Sequence, residues 1–95
     1  MNIRNTPIGS GASFLEVQDI LFNTWDPIGV NENQNLRDEY DRYVPRVVRL
    51  LRMDASIQEI VYELLQIEEA LSCKTSMDIR LNVARALFEL RQRHR

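Results

Sequence analysis

This sequence contains few side chains that could carry out acid–base or nucleophilic catalysis. Among its 95 residues the only histidine is His94, which lies among arginines beside the chain end, and the only cysteine is Cys73. Such catalysis needs a group whose pKa can be brought near neutrality, with a second group that activates or orients it. Zinc needs a cluster of Cys and His ligands that one residue of each type cannot supply. The sequence therefore predicts no catalytic residue, no metal site and no cofactor.

The acidic stretch from Glu32 to Asp41 suggests binding instead. Its carboxylates could hold a hard cation, but their spacing matches no calcium loop, and no glycine lies where such a loop needs one. Fixed negative charge steers association with basic surfaces, and tyrosine is enriched at protein interfaces. We therefore expect a protein to contact this stretch. The candidate contact residues are Glu32, Asp38, Glu39, Tyr40, Asp41 and Tyr43, with Glu59 and Glu63 as a second acidic face.

Charge alternates in blocks along the chain, although the net charge is only −2. Seven acids against one arginine occur between Glu16 and Asp41, and four arginines without an acid follow between Arg42 and Arg52. Blocks of opposite sign can neutralise one another in a helical domain, which is the alternative explanation of each acidic face. The sequence pI is near 5.3, whereas nucleic-acid-binding domains are usually basic. We expect no direct contact with nucleic acid.

These side chains must be positioned by the segment that reverses the chain at residues 25–30. Pro27 disfavours helical geometry in the residue before it, so the incoming helix should end near Trp25 and Asp26 should be extended. Asp, Pro and Gly at positions 26, 27 and 29 are typical of a type I turn whose aspartate accepts bonds from following amides. A ligand-binding role for Trp25 and Asp26 is the alternative. The corner residues are Trp25, Asp26, Pro27 and Gly29, with Ile28 and Val30 as further apolar anchors.

Apolar residues at helical spacing predict an all-α fold, a compact bundle of about four helices with short links. Capping boxes at Ser13 and Ser56 mark two helix starts. Pro45 fits the first turn of a helix that begins between Asp41 and Val44 and ends near Met53. A fourth helix should begin at Thr75 or Ser76. The predicted organisation is a flexible arm over residues 1–12 and a single helical domain over residues 13–95, with the first helix at Phe14 to about Trp25.

Composition bears on the cellular compartment. A single cysteine cannot form an internal disulfide, which is typical of a reducing environment. Nothing approaches the roughly 20 apolar residues that span a bilayer, and the first 12 residues lack the apolar core of a signal peptide. We therefore expect a cytoplasmic protein without a membrane partner.

The chain carries Trp-Asp-Pro-Ile-Gly-Val at 25–30 and Asp-Glu-Tyr-Asp at 38–41. These and several shorter motifs resemble those of a family of small bacterial helical proteins of unassigned function. The resemblance implies a small helical fold without a known catalytic set. Members usually carry glycine before the Ala-Ser pair, where this chain has Asp54. The shared motifs are Trp-Asp-Pro-Ile-Gly-Val at 25–30, Asp-Glu-Tyr-Asp at 38–41, Tyr43, Pro45, Arg-Leu-Leu at 49–51, Ala-Ser at 55–56, Glu-Ile at 59–60 and Ile-Glu at 67–68.

The chain is also similar in type to the immunity proteins of toxin–immunity pairs, including those of contact-dependent growth inhibition. These are short, acidic, compact bacterial proteins without cofactors, and they often mask a nuclease by presenting carboxylates to its basic cleft. The likeness implies a non-enzymatic module that uses its acidic surface to bind a cognate toxin domain. We expect that toxin domain to be basic, and a nuclease is one possibility. The alternative is an adaptor or regulatory protein with another partner, and a nucleic-acid binder is less favoured.

Overall fold

The computed structural model describes residues 10–94, and within them the protein is an all-α bundle of four helices without a strand, as the sequence predicted. Short 3-10 turns occupy part of the connection between the first and second helices. No helix in this range has both the length and the apolar character needed to cross a membrane. The elements in order are α1 (Ser10–Asp19), a π-helix (Ile20–Trp25), 3-10 turns (Gln34–Leu36 and Asp41–Tyr43), α2 (Val44–Arg52), α3 (Ile57–Ala70) and α4 (Met77–Arg93).

Three helix starts follow the local signals in the sequence. The Ser56 hydroxyl accepts a bond from the Glu59 amide at 3.1 Å, and the Glu59 carboxylate accepts one from the Ser56 amide at 2.8 Å, which completes the predicted capping box of α3. Ser76 caps α4 by accepting from the Ile79 amide at 3.1 Å. Pro45 lies in the first turn of α2, where its missing amide hydrogen costs no helical bond.

The predicted start of the first helix was wrong. Helical backbone already runs through Ser10–Asp19, so Ser13 lies inside the helix and does not cap it. Each added helical residue gains one backbone hydrogen bond, which outweighs the weak preferences of Gly and Ser for other conformations. The helical part of the chain therefore begins no later than Ser10. The rest of the predicted arm, residues 1–9, lies outside the described residues, as does Arg95.

Helix α4 lies at the centre of the packing. It contacts α3, the π-helix and α2, and α1 packs on α2. Full burial of each large apolar side chain contributes about 1.5–3 kcal/mol, so this shared core holds the helices together. Side chains that are at most 1% exposed come from every helix: Val17, Leu21, Phe22, Val47, Ile60, Leu64, Ile67, Val83 and Leu87.

Charged residues occupy core positions on α3 and α4. Helical spacing left Ile67 or Glu68 open as a member of the apolar side of α3, and it predicted no charged residue for the stripe of α4, which was Ile79, Val83, Leu87 and Leu90 with Ala84 and Phe88 beside them. Glu68 is fully buried, and Arg80 and Arg91 are 5% and 4% exposed. Ile79, which the stripe of the fourth helix placed inside, is instead 39% exposed. Arg80 precedes Leu87 by two helical turns and therefore shares its face. Val83, Leu87 and Leu90 are buried as the spacing predicts, so the buried face of α4 differs from the prediction mainly at its N-terminal end, where Arg80 takes the place of Ile79.

The link between α2 and α3 contains a left-handed residue. Asp54 has φ 61°, a conformation that glycine adopts with little strain. The Asp54 carboxylate lies 3.9 Å from Nε of the buried Arg91, a distance at which the two form an ion pair but no hydrogen bond.

Candidate protein-binding site

Asp26 organises the corner that follows the π-helix. Its amide donates to the Leu21 carbonyl at 2.9 Å, the i to i−5 bond that closes the π-helix, and its backbone is left-handed at φ 42° and ψ 58°. The extended conformation predicted for Asp26 from the following Pro27 was therefore wrong. Its carboxylate accepts bonds from the Val30 amide at 2.8 Å and the Asn31 amide at 3.1 Å. These bonds offset the roughly 1–2 kcal/mol that left-handed backbone costs outside glycine.

The predicted turn over Asp26 to Gly29 is present. The Gly29 amide donates to the Asp26 carbonyl at 3.1 Å, and Gly29 has φ 71°, where a side chain would be strained. Trp25 is 2% exposed and anchors the corner as expected. Ile28 was predicted as a further anchor but is 40% exposed. The corner is a chain reversal held by the core and by the Asp26 carboxylate.

Tyr40 fastens the other end of this connection to the corner. Its hydroxyl donates to the Asp26 carboxylate at 2.9 Å and accepts from the Ile28 amide at 3.1 Å, and its ring centroid lies 6.0 Å from that of Trp25. Burial raises the pKa of the Tyr40 phenol above its ordinary value of 10.0, and the bond to Asp26 adds to this effect. Tyr40 was predicted as a surface contact residue. At 2% exposure it is a core residue, because both its ring and its hydroxyl have partners inside the protein.

Residues 31–41, here called the acidic loop, are attached to the first helix. The Arg37 guanidinium pairs with Asp19 at 3.1 Å and lies 5.9 Å from the centroid of the Phe22 ring. Asp41 accepts a bond from the Gln18 side-chain amide at 2.8 Å. The carboxylate of Asp41, a predicted contact residue, is therefore engaged within the protein. These contacts fix the acidic loop on α1 at two points.

Three carboxylates of the acidic loop remain available at the surface. Glu32, Asp38 and Glu39 are exposed, and none of them has a hydrogen bond or ion pair through its side chain among residues 10–94. Tyr43 is half-buried and packs against the core. Of the residues predicted in this stretch, the structure therefore leaves these three acids free to meet another molecule.

The second predicted acidic face is largely occupied by the protein's own groups. Glu59 belongs to the capping box of α3, although its side chain is exposed. Glu63 forms an ion pair with Arg46 of α2. Neutralisation between blocks of opposite charge, the alternative considered from the sequence, therefore applies to Glu63 and not to the exposed acids of the acidic loop.

A buried polar cluster, here called the Glu68 network, lies behind the corner. Trp25 Nε1 donates to the Glu68 carboxylate at 2.8 Å, and Arg80 donates to it at 2.9 Å. The Thr75 amide and hydroxyl donate at 3.0 and 2.5 Å. Burial opposes the charge, but the bonds from Thr75, Trp25 and Arg80 prevail and lower the pKa of Glu68 below its ordinary value. The network ties the π-helix to α3, α4 and the link between them.

The donors of the Glu68 network were not predicted from the sequence, although Glu68 was offered as an alternative to Ile67 on the apolar side of α3. Glu68 follows Leu64 by four residues, so it falls on the same face of α3 as the apolar stripe. A carboxylate at such a position requires buried donors. Trp25 and Arg80 could supply them only once the fold brings together residues that are distant in sequence.

Neither candidate nucleophile or base has a catalytic setting. Cys73 is half-buried, and burial together with the negative charge of Glu68 raises the pKa of its thiol, which favours the unreactive protonated form. His94 Nε2 lies 2.8 Å from a Glu16 carboxylate oxygen near the surface. Across residues 10–94 no group of three or more His, Cys, Asp or Glu side chains is arranged to hold a metal ion.

The geometry defines a class of protein: a small all-α domain that presents an anchored acidic loop. Comparisons of the chain with protein-family models, with curated proteins and with solved structures found no match.

Proposed function

We propose that this protein is a non-enzymatic binding module, an immunity protein that neutralises a cognate toxin domain of the contact-dependent inhibition kind. The observation that supports the proposal is the exposure of Glu32, Asp38 and Glu39, which have no side-chain partners among residues 10–94. The complementary partner is a basic protein surface such as the substrate cleft of a nuclease. Bound there, the acidic loop would exclude the toxin's own anionic substrate.

The anchoring of the acidic loop supports binding of this kind. Asp26, Tyr40 and the Arg37–Asp19 pair hold the loop in place before any partner arrives. A preorganised segment loses less conformational entropy on binding, so more of the contact energy appears as affinity. Exposed carboxylates also accelerate encounter with a basic surface. The free thiol of Cys73 is compatible with the cytoplasm, where such a protein would protect the cell that makes it.

Co-expression with the product of the adjacent gene tests the proposal. The tagged protein should co-purify with that product and protect cells from its toxicity. The double variant Asp38→Asn/Glu39→Gln should weaken the complex by about tenfold or more, because it removes charges that face the partner. The matched control Glu69→Gln/Glu89→Gln removes two exposed acids elsewhere and should leave binding within about twofold.

Failure to form any complex with the neighbouring product would contradict the immunity proposal. A complex with a partner that is not toxic would contradict it as well and would favour the adaptor or regulatory alternative. Equal losses in the two double variants would show that general charge, and not the acidic loop, is responsible for binding.

A further inference from the structure

A basic groove lies between α2 and α3, here called the arginine groove. It has a volume of about 540 Å³ and carries positive and apolar groups together. Arg42, Arg46 and Arg49 are spaced by four and three residues, so they lie along one side of α2 and the turn before it. The groove is lined by Arg42, Pro45, Arg46, Arg49, Leu50, Met53 and Glu63.

The charges of the arginine groove are only partly compensated. Arg46 pairs with Glu63, which is the one acid of the lining within the part of the chain that the structure describes. Arg42 and Arg49 are exposed and have no carboxylate partner among residues 10–94. Beside them, Met53 is 70% exposed, so apolar surface faces solvent at the same place. The groove thus offers unpaired guanidinium groups next to an uncovered thioether side chain.

We propose that the arginine groove binds an acidic segment of a protein partner that also carries an aliphatic side chain. Guanidinium groups recognise carboxylates through directed, charge-assisted hydrogen bonds. Methionine adapts its shape to varied apolar side chains. Charge complementarity with Arg42 and Arg49 selects the acidic groups, and contact with Met53 and Leu50 selects the aliphatic one. This surface is opposite in charge to the acidic loop and does not depend on the function proposed for that loop.

Two features favour a protein segment over nucleic acid. Among the described residues, the lining contains no aromatic side chain on which a base could stack, a contact that supports much single-strand binding. Glu63 also places a carboxylate inside the groove, which would repel a continuous phosphate backbone but can be displaced by a single competing carboxylate.

The Arg46–Glu63 pair provides a distinctive test. Glu63 competes with an incoming carboxylate for Arg46, so Glu63→Gln should tighten binding of an acidic peptide by about threefold or more, which is about 0.6 kcal/mol. A structural role of Glu63 alone would not increase affinity. Weaker binding by this variant would overturn the proposal.

The probe is a fluorescein-labelled peptide of alternating glutamate pairs and leucines, and its anisotropy is measured with the full chain at low and high salt. Arg42→Ala/Arg49→Ala should weaken binding by about tenfold. The control Arg52→Ala/Arg93→Ala removes two exposed arginines outside the groove and should change affinity by less than about twofold. Met53→Ala should weaken binding of this peptide but not of a polyglutamate peptide without leucine. Circular dichroism spectra establish that each variant is folded.

Further results would also overturn the proposal: no binding by the unmodified protein, equal losses in the two arginine double variants, or tighter binding of oligothymidylate than of the peptide. The last result would assign the groove to nucleic acid. Concentration-dependent self-association that competes with the peptide would instead assign it to a second copy of the chain.

Discussion

Glu68 carries a negative charge in the core because protein donors replace the water that it loses on folding. Replacing this carboxylate with an amide leaves Arg80 without its counter-charge and sets an amide NH2 group against the donors of Thr75 or Trp25. We expect Glu68→Gln to lower the free energy of unfolding by about 3 kcal/mol, as for other broken buried ion pairs. Urea denaturation provides the measurement. Glu69→Gln, at the exposed neighbouring position, should stay within about 0.5 kcal/mol, and equal effects would contradict this role of Glu68.

The pH dependence of stability should also depend on Glu68. Its pKa is lowered in the folded protein, so the unfolded chain takes up the proton first as the pH falls. The stabilisation is therefore complete above the ordinary carboxyl pKa of 4.5 and is lost as the pH falls through the lower folded value. Between neutral and strongly acidic pH, the unmodified protein should lose more free energy of unfolding than Glu68→Gln. Parallel curves for the two proteins in urea would show that Glu68 titrates normally.

The Tyr40 hydroxyl makes two bonds that its ring cannot replace. Tyr40→Phe keeps the packing against Trp25 but leaves the Ile28 amide without its acceptor and Asp26 without a donor. We expect a loss of about 1–2 kcal/mol in the free energy of unfolding. Thermal unfolding measured beside Tyr62→Phe, whose parent side chain is 62% exposed, provides the comparison. A loss no greater than that of the control would mean that the hydroxyl bonds contribute nothing.

At the scale of the elements, the capping box of α3 is the most local source of stability. Ser56→Ala removes the acceptor for the Glu59 amide, and the expected cost is about 1 kcal/mol. Gln58→Ala, an exposed change in the first turn of the same helix, should have little effect. Chemical denaturation of the two variants measures the difference. The interpretation of Ser56 as a cap fails if they are equally stable.

The accuracy of the sequence predictions follows the range of the interactions involved. Ser56 marked a helix start correctly, as did Ser76, one of the two residues considered for α4, because each cap is complete within a few residues of chain. The capping signal at Ser13 is just as local but was wrong, because the helix extends beyond it. The left-handed conformation of Asp26 was missed because the prediction considered only the following Pro27, whereas the Asp26 carboxylate is also held by the Val30 and Asn31 amides and by Tyr40, which is 14 residues away. The burial of Glu68 depends on Trp25, which is 43 residues away. The spacing of residues within one helix does not predict which distant residues will contact it.

The π-helix illustrates the same limit at the scale of an element. Helical spacing predicted the end of the first helix near Trp25 but not the wider turn over Ile20–Trp25. The π-helix places both Phe22 and Trp25 in the core, and Trp25 there reaches Glu68. A π-turn has poorer intrinsic geometry than an α-turn. The tertiary contacts of Phe22 and Trp25 offset this cost.

Across the whole molecule, some charges of the alternating blocks are paired within the fold and others stay exposed. Some charges meet within the fold, as in the pairs Arg46–Glu63, Arg37–Asp19 and Arg80–Glu68. Others remain exposed as the acidic loop and the arginine groove. The sequence identified the acidic stretch correctly as a charged segment, but it could not separate Glu32, Asp38 and Glu39 from the engaged Asp41 and Glu63. That distinction depends on which arginine or amide the fold brings beside each acid.

The central claim is that the exposed acids of the acidic loop bind a basic partner. Isothermal titration of the purified protein against the product of the adjacent gene tests it most directly. We predict a one-to-one complex whose affinity falls by about tenfold in Asp38→Asn/Glu39→Gln, falls further with added salt, and is unchanged in Glu69→Gln/Glu89→Gln. No heat of binding for the unmodified protein, or equal affinity for both double variants, would contradict the claim.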